Sequence, residues 1–197
     1  MGDGRLARGR PRGFDVRDVV EAAKDLFWER GYQGTTLADL EVATGLNRSS
    51  LYQAFGTKEA LFVSALDNYI DSFVAARLAG MERPGAEPHD IVGFFSGLAE
   101  LFRDDPGLAR RGCMWVNAVA EFAGREPPDA RADEYRNRLD AAFAGSLSGG
   151  GERVLVRERS RMLTATTFGI WLTVRVDAVE GARVSDNVAA AVREWGN

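Results

Sequence analysis

Apolar residues in this chain recur three and four positions apart, run after run, and nowhere alternate over the length of a strand. That spacing puts them on one face of successive helices and leaves an all-α fold as the class able to bury them. Glycines and capping residues punctuate the runs. Asp15 is placed to cap a first helix bearing Val16, Val19, Val20, Ala23, Leu26 and Phe27. Phe14 can staple onto Val19, and Gly31 closes the run. Thr36 caps a short second helix carrying Leu37 and Leu40, and Gly45 breaks it. A third helix is expected from Asn47 to Phe55, followed by Gly56. Thr57 then opens a long fourth helix with Leu61, Phe62, Ala65, Leu66, Tyr69, Ile70 and Phe73 on one side. A Pro/Gly-bearing loop follows at 80–88. Further helical patterns occupy 91–103, 113–123 and 129–147, with a glycine loop at 149–151. A long helix is expected over 152–180, closed by Gly181. Ser185 would cap a last one ending near Trp195. The total is about nine helices.

The hydrophobic fraction of 45% fits a packed core. No apolar run approaches the roughly 20 residues of a membrane span, so no membrane partner is expected. The arginines near the N-terminus have no apolar stretch behind them, which argues against a secretory signal. Cys113 is alone, so no internal disulfide framework exists, and a reducing cytoplasm is the expected setting. A single histidine, His89, excludes a histidine-rich metal site within one chain, and no cofactor is expected. The net charge is −4, but it is unevenly placed: residues 1–58 carry a net of +1 and the remainder −5. Residues 1–13 form a basic arm with Arg5, Arg8, Arg10 and Arg12 against Asp3. A protein that touches a polyanion only with its front end would look like this.

The two short helices around Gly45 read as a helix-turn-helix. Gly45 can take the left-handed conformation that lets the second helix cross the first steeply. Leu40, Leu46 and Leu51 fall where the helices would meet. The third helix would then present Asn47, Arg48, Ser49, Tyr52 and Gln53 to a major groove. Any two helices packed across a glycine can imitate this pattern, so wider context matters. Residues 9–69 closely resemble the TetR family of bacterial transcriptional regulators. The resemblance rests on Ala23 through Gly31 and Tyr32, on Thr36 and Gly45, on the block Ser50, Leu51, Tyr52, Gln53, Ala54 and Phe55, and on Lys58, Glu59, Ala60 and Leu61. It covers about a third of the chain. One departure is Glu41, where many members carry alanine and a charge would crowd a tight helix contact.

The resemblance implies that Arg48, Ser49 and Tyr52 face base edges or adjacent phosphates, and that Thr36, Tyr52 and Lys58 contact phosphate. Gln53 lies on the same exposed face. The chemistry agrees: a guanidinium can fork onto a guanine edge, and the helix starts at Thr36 and Thr57 attract phosphate. The arm arginines either reach into a minor groove or form a solvated tail. The family also implies a ligand-responsive repressor, acting as a homodimer on a double-stranded DNA operator and released by a small-molecule effector. An activator of the same fold, or a helical interaction adaptor, remains the alternative. An enzyme is not expected, because GxSxG, HExxH, dinucleotide-binding and P-loop signatures are absent.

Three units follow from this reading: the arm at 1–13, a DNA-binding domain at 14–72, and a ligand-binding and dimerisation domain at 73–197. From Met162 to Val176 the long helix is apolar nearly all round, which calls for burial on every side. Phe168, Trp171 and Val174, with Val188 and Trp195 on the last helix, are the expected dimerisation residues, and Gly169 would allow close approach. Phe102, Trp115, Asn117, Phe122 and Met162 are the candidates for the effector pocket, with Glu121 as a further polar group. Cys113 beside Arg110 and Arg111 is either a thiolate sensor or a buried structural cysteine.

Overall fold

The computed structural model describes residues 14–122, 128–149 and 152–195. The basic arm, the residue at 123 and the glycine loop at 150–151 lie outside them. Every regular element among the described residues is helical. In chain order they are α1 (Val16–Gly34), α2 (Leu37–Thr44), α3 (Arg48–Phe55), α4 (Lys58–Tyr69), a π-helical turn (Ile70–Val74), α5 (Ala75–Glu82), α6 (Pro88–Asp104), α7 (Pro106–Arg111), α8 (Met114–Phe122), α9 (Pro128–Leu147), α10 (Arg153–Val176) and α11 (Ala178–Trp195). Eleven α-helical segments meet an expectation of about nine for two reasons. The long fourth helix is one run in two α-helical pieces joined by the π turn, and the six-residue α7 lies between the runs expected at 91–103 and 113–123.

The caps act as their chemistry requires. Asp15 accepts from the Arg17 N–H at 2.8 Å, Asn47 from Ser50 at 2.9 Å and Thr57 from Ala60 at 3.0 Å, each satisfying a donor that the first helical turn leaves open. Thr36 and Asp39 form a reciprocal capping box at the start of α2. α1 packs on α4, α9 on α10, and α11 runs along α6. The core is continuous from the N-terminal helices to the C-terminal ones. Phe27 meets Phe62 edge-on, Trp28 meets Tyr69 and Phe73, and Phe102 meets Trp171. The expected domain limit at residue 72 falls inside the π turn, within an unbroken helical run of roughly 35 Å at 1.5 Å per residue. π turns of this kind occur mostly inside α-helices.

The C-terminal pair departs from the sequence expectation. The break between α10 and α11 is at Asp177, whose carboxylate accepts from the Val179 and Glu180 N–H groups at 3.0 Å. Gly181 and Ser185, expected as a stop and a cap, are buried inside α11, with the Ser185 hydroxyl donating to the Gly181 carbonyl. Gly181 is there for close approach: a Cβ would collide with Val174 Cγ1. Gly181→Ala should therefore push the two helices apart, at a cost of about 1–3 kcal/mol. Thermal denaturation followed by circular dichroism should show the midpoint falling by several degrees. An unchanged midpoint would mean the helices part freely.

The all-round apolar run of α10 resolves into two faces. Leu163, Thr167, Ile170, Trp171 and Val174 point into the chain's own core. Trp171 and Val174, expected at a dimer contact, are thus internal: Trp171 packs on Phe102 and Phe73, and Val174 packs on Gly181. Met162, Ala165, Gly169, Leu172 and Val176 form the outer stripe, spaced 3-4-3-4, and all five are exposed. Among the described residues, no helix is long and apolar enough to cross a membrane.

Candidate nucleic-acid interface

α2 and α3 are each eight residues long, held against the rest of the head by Leu40 and Leu51. Leu40 is fully buried and Leu51 nearly so, each side chain worth about 1.5–3 kcal/mol of burial. Gly45 closes α2 at φ 69°, ψ 8°, the left-handed geometry that the sharp turn needs. With Leu51 turned inward, the opposite face of α3 carries two rows at i, i+4 spacing. One is Arg48 with Tyr52, the other Ser49 with Gln53, and all four are exposed. The Arg48 guanidinium lies 5.6 Å from the Tyr52 ring centroid, a contact that steadies it without neutralising it.

Glu41 does not crowd the helix contact. It reaches across the turn, and its carboxylate accepts the Arg48 backbone N–H at the start of α3. A negative charge at a helix N-terminus is favourable, so Glu41 fixes the recognition helix to α2. Pattern reading missed this role because the partner is a backbone group seven residues away.

The other cations of the head are occupied. Arg17 pairs with Asp15, the nearly buried Lys24 with Glu21, and Arg30 with Asp39. Lys58, expected on phosphate, donates in the DNA-free chain to the Tyr32 carbonyl at 2.6 Å and sits 4.2 Å from the Tyr32 ring centroid. Burial pushes its ammonium below the usual lysine range, with the Glu121 and Asp39 carboxylates acting against that. Thr36 is exposed, but both its hydroxyl and its N–H are engaged by Asp39. Residues 14–58 carry five Lys/Arg against seven Asp/Glu. Among these five cations, Arg48 alone is neither ion-paired nor bonded to a carbonyl.

The head is fastened to the C-terminal helices at two points. The Trp28 indole N–H donates to the Gly112 carbonyl at 2.8 Å. At the other end of α8, the Glu121 carboxylate accepts from the Tyr32 and Gln33 N–H groups at 3.2 and 2.8 Å. Glu121, expected near an effector, is thus a tie to the head. Phe122 belongs to the same joint, packing on Tyr32 and Phe62 at 4.7 and 5.3 Å between centroids.

The remaining effector candidates have different surroundings. Trp115 stacks on Phe168 and meets Tyr135 edge-on. Asn117 donates to the Arg111 carbonyl and accepts from Arg175. Met162 is half exposed on the outer face of α10. Phe102 borders a cleft of about 580 Å³ shared with Arg103, Arg110, Val176, Val179 and Asp186, and none of the other four candidates lines it. Cys113 is buried beside the Tyr69 hydroxyl, and burial pushes its thiol up, which favours the structural reading over a thiolate. Among the expected dimer residues, Phe168, Val188 and Trp195 are half-buried, with the Arg159 guanidinium 4.5 Å from the Trp195 ring centroid.

Residues 19–65 match the family model described as bacterial regulatory proteins, tetR family. The chain is 31% identical over 188 residues to the uncharacterized HTH-type transcriptional regulator YezE of Bacillus subtilis, covering 91% of this chain and 95% of that protein. It is 39% identical over 117 residues to the HTH-type transcriptional repressor ComR of Escherichia coli, covering 57% of this chain and 53% of ComR. Among solved structures it is similar to a cysteine mutant of the TetR family transcriptional regulator CifR, solved with 26-base-pair operator DNA. That likeness has a TM-score of 0.69 and 27% identity, covering 94% of this chain and all of the other.

Proposed function

The chain belongs to the tetR family of bacterial regulatory proteins, and from that premise we propose that it is a homodimeric repressor, released from its DNA operator by a small-molecule effector. One observation carries the DNA-binding part: Arg48, Ser49, Tyr52 and Gln53 stand exposed on the outer face of a helix that Leu51, Gly45 and Glu41 lock in place. Arg48 reads a base edge, since no counter-charge holds it back. Phosphate anchoring falls to the helix start at Thr57 and to the arginines of residues 1–13, because the head's other cations and the Thr36 cap are already engaged. ComR is named a repressor and CifR was solved on operator DNA, which supports the same assignment here. We read the protein as a cytoplasmic binding protein rather than an enzyme.

The outer stripe of α10 supports the dimer. Met162, Ala165, Gly169, Leu172 and Val176 repeat at the spacing of a helix seam, and open space surrounds Gly169. Val188 and Trp195 flank it on α11. This assigns dimerisation to residues adjacent to Trp171 and Val174 rather than to those two. The effector binds among the helices behind the head, where the buried Phe102 lines the wall of a cleft. By linkage, DNA must weaken the effector by the factor by which the effector weakens DNA.

Selection from a random duplex pool, followed by footprinting, tests the reading. Two symmetric recognition helices should protect a pseudo-palindrome with half-site centres about 10–10.5 base pairs apart, or a multiple of it. A protein that protects no duplex and is not retained on heparin at low salt would not be a DNA-binding regulator.

A further inference from the structure

α8 is tied to α1 at both of its ends, and the far tie is built with unusual economy. α1 leaves helical geometry at Gly31, at φ 74° and ψ 173°. That departure turns the next two backbone N–H groups, of Tyr32 and Gln33, toward one carboxylate 88 residues away in sequence. Glu121 Oε1 accepts from Tyr32 at 3.2 Å and Oε2 from Gln33 at 2.8 Å. The approach is so close that a Cβ at Gly31 would collide with Oε1. The Tyr32 carbonyl faces the other way and receives the Lys58 ammonium at the start of α4. A single peptide unit is therefore shared between an anion from α8 and a cation from α4. Helix α2, and with it the recognition helix, follows directly from this turn.

The near tie fixes the other end. Gly112, just before α8, takes the Trp28 indole N–H. Between the ties, α8 faces the C-terminal helices: Trp115 stacks on Phe168, and Asn117 meets Arg175, both partners on α10. α8 is thus a strut with one side on α10 and both ends on α1.

We propose that Glu121 is a positioning residue for DNA binding. Its carboxylate, clasped by the Tyr32 and Gln33 N–H groups, holds the head at the tilt its recognition helix needs, and a displacement of α8 acts on the head through that clasp. The inference rests on the DNA-binding reading above. It assigns Glu121 no contact with DNA. Both oxygens are used on the backbone, and hydrogen bonds to a charged acceptor are strong enough to set a local geometry.

The test compares full-length wild type with Glu121→Ala and Glu121→Gln. Amide exchange should quicken at Tyr32 and Gln33 by about tenfold in the alanine variant and less in the glutamine one, which keeps one acceptor. Affinity should fall about tenfold in Glu121→Ala for a duplex carrying the site that wild type selects from a random pool. Affinity for a random-sequence duplex of equal length should change far less, because only specific binding depends on the tilt. Glu121→Gln should be intermediate. Both variants should keep the wild-type mass in solution. Faster exchange with unchanged discrimination between the two duplexes overturns the proposal, as does unchanged exchange. Wild type that binds neither duplex overturns the DNA-binding reading and the proposal with it, whereas wild-type binding matched by both variants overturns the proposal alone.

Discussion

Leu172→Glu should give a folded monomer that has lost operator binding. Leu172 is 54% exposed in the single chain, within the outer stripe of α10 between Gly169 and Val176. In a lone chain the new carboxylate faces water and costs little. In a dimer closed over that stripe it would be dry and unpaired, and two-fold symmetry would bring its copy into the same seam. Several kcal/mol of desolvation per carboxylate then oppose association. The dimer should weaken by more than about a hundredfold, and a monomer reaches only one half-site of a palindrome. Sedimentation should report the monomer mass, with circular dichroism and melting near wild type. Val174→Glu provides the contrast. Val174 is fully buried against Gly181, so a charge there should unfold or aggregate the chain rather than split it cleanly. Leu172→Glu that stays dimeric at micromolar concentration would place the interface elsewhere.

Arg48→Ala and Lys58→Ala should fail in different ways. Arg48 is exposed, has no ion pair and rests only on the Tyr52 ring. Its loss should cost about 1–3 kcal/mol per half-site and relax base choice at one symmetric position, with no loss of melting temperature. Lys58 belongs to the joint between α1 and α4. Removing its ammonium strips a donor from the Tyr32 carbonyl and a cation from that ring. Lys58→Ala should therefore lower stability by about 1 kcal/mol and weaken every single-base variant of the site by the same factor. A binding series over single-base variants and over salt, with a melting curve for each protein, separates the two. Equal loss on every sequence for Arg48→Ala would make it a phosphate contact and pass base reading to Ser49 or Tyr52. A flattened salt slope with unchanged melting for Lys58→Ala would return Lys58 to the phosphates.

The head was legible because its determinants are local. Asp15, Thr36, Asn47 and Thr57 cap within three residues of themselves, and Gly45 needs only its own φ. The outward row of Arg48, Ser49, Tyr52 and Gln53 follows from the inward Leu51. The limits of that legibility are equally physical. In α10, periodicity could not sort Trp171 and Val174 from Leu172 and Val176, because both faces are apolar and only the position of the neighbouring helices decides which is covered. The Asp177 break lost out to Gly181 because a glycine needed for helix contact looks the same in sequence as one needed for a stop. The backbone contacts of Lys58 and Glu121 could not be read, because a charge in sequence shows nothing of a backbone partner 26 or 88 residues away.

The internal pairing of Arg17, Lys24 and Arg30 bears on how the protein finds its target. Non-specific attraction to DNA comes almost entirely from unneutralised cations, and a genome offers about 10⁶–10⁹ competing sites. Within residues 14–58, Arg17, Lys24 and Arg30 already face the chain's own carboxylates. Non-specific attraction would then rest on Arg48 and the arginines of residues 1–13. Removing those few charges should move affinity for bulk DNA more than removing any paired cation of the head.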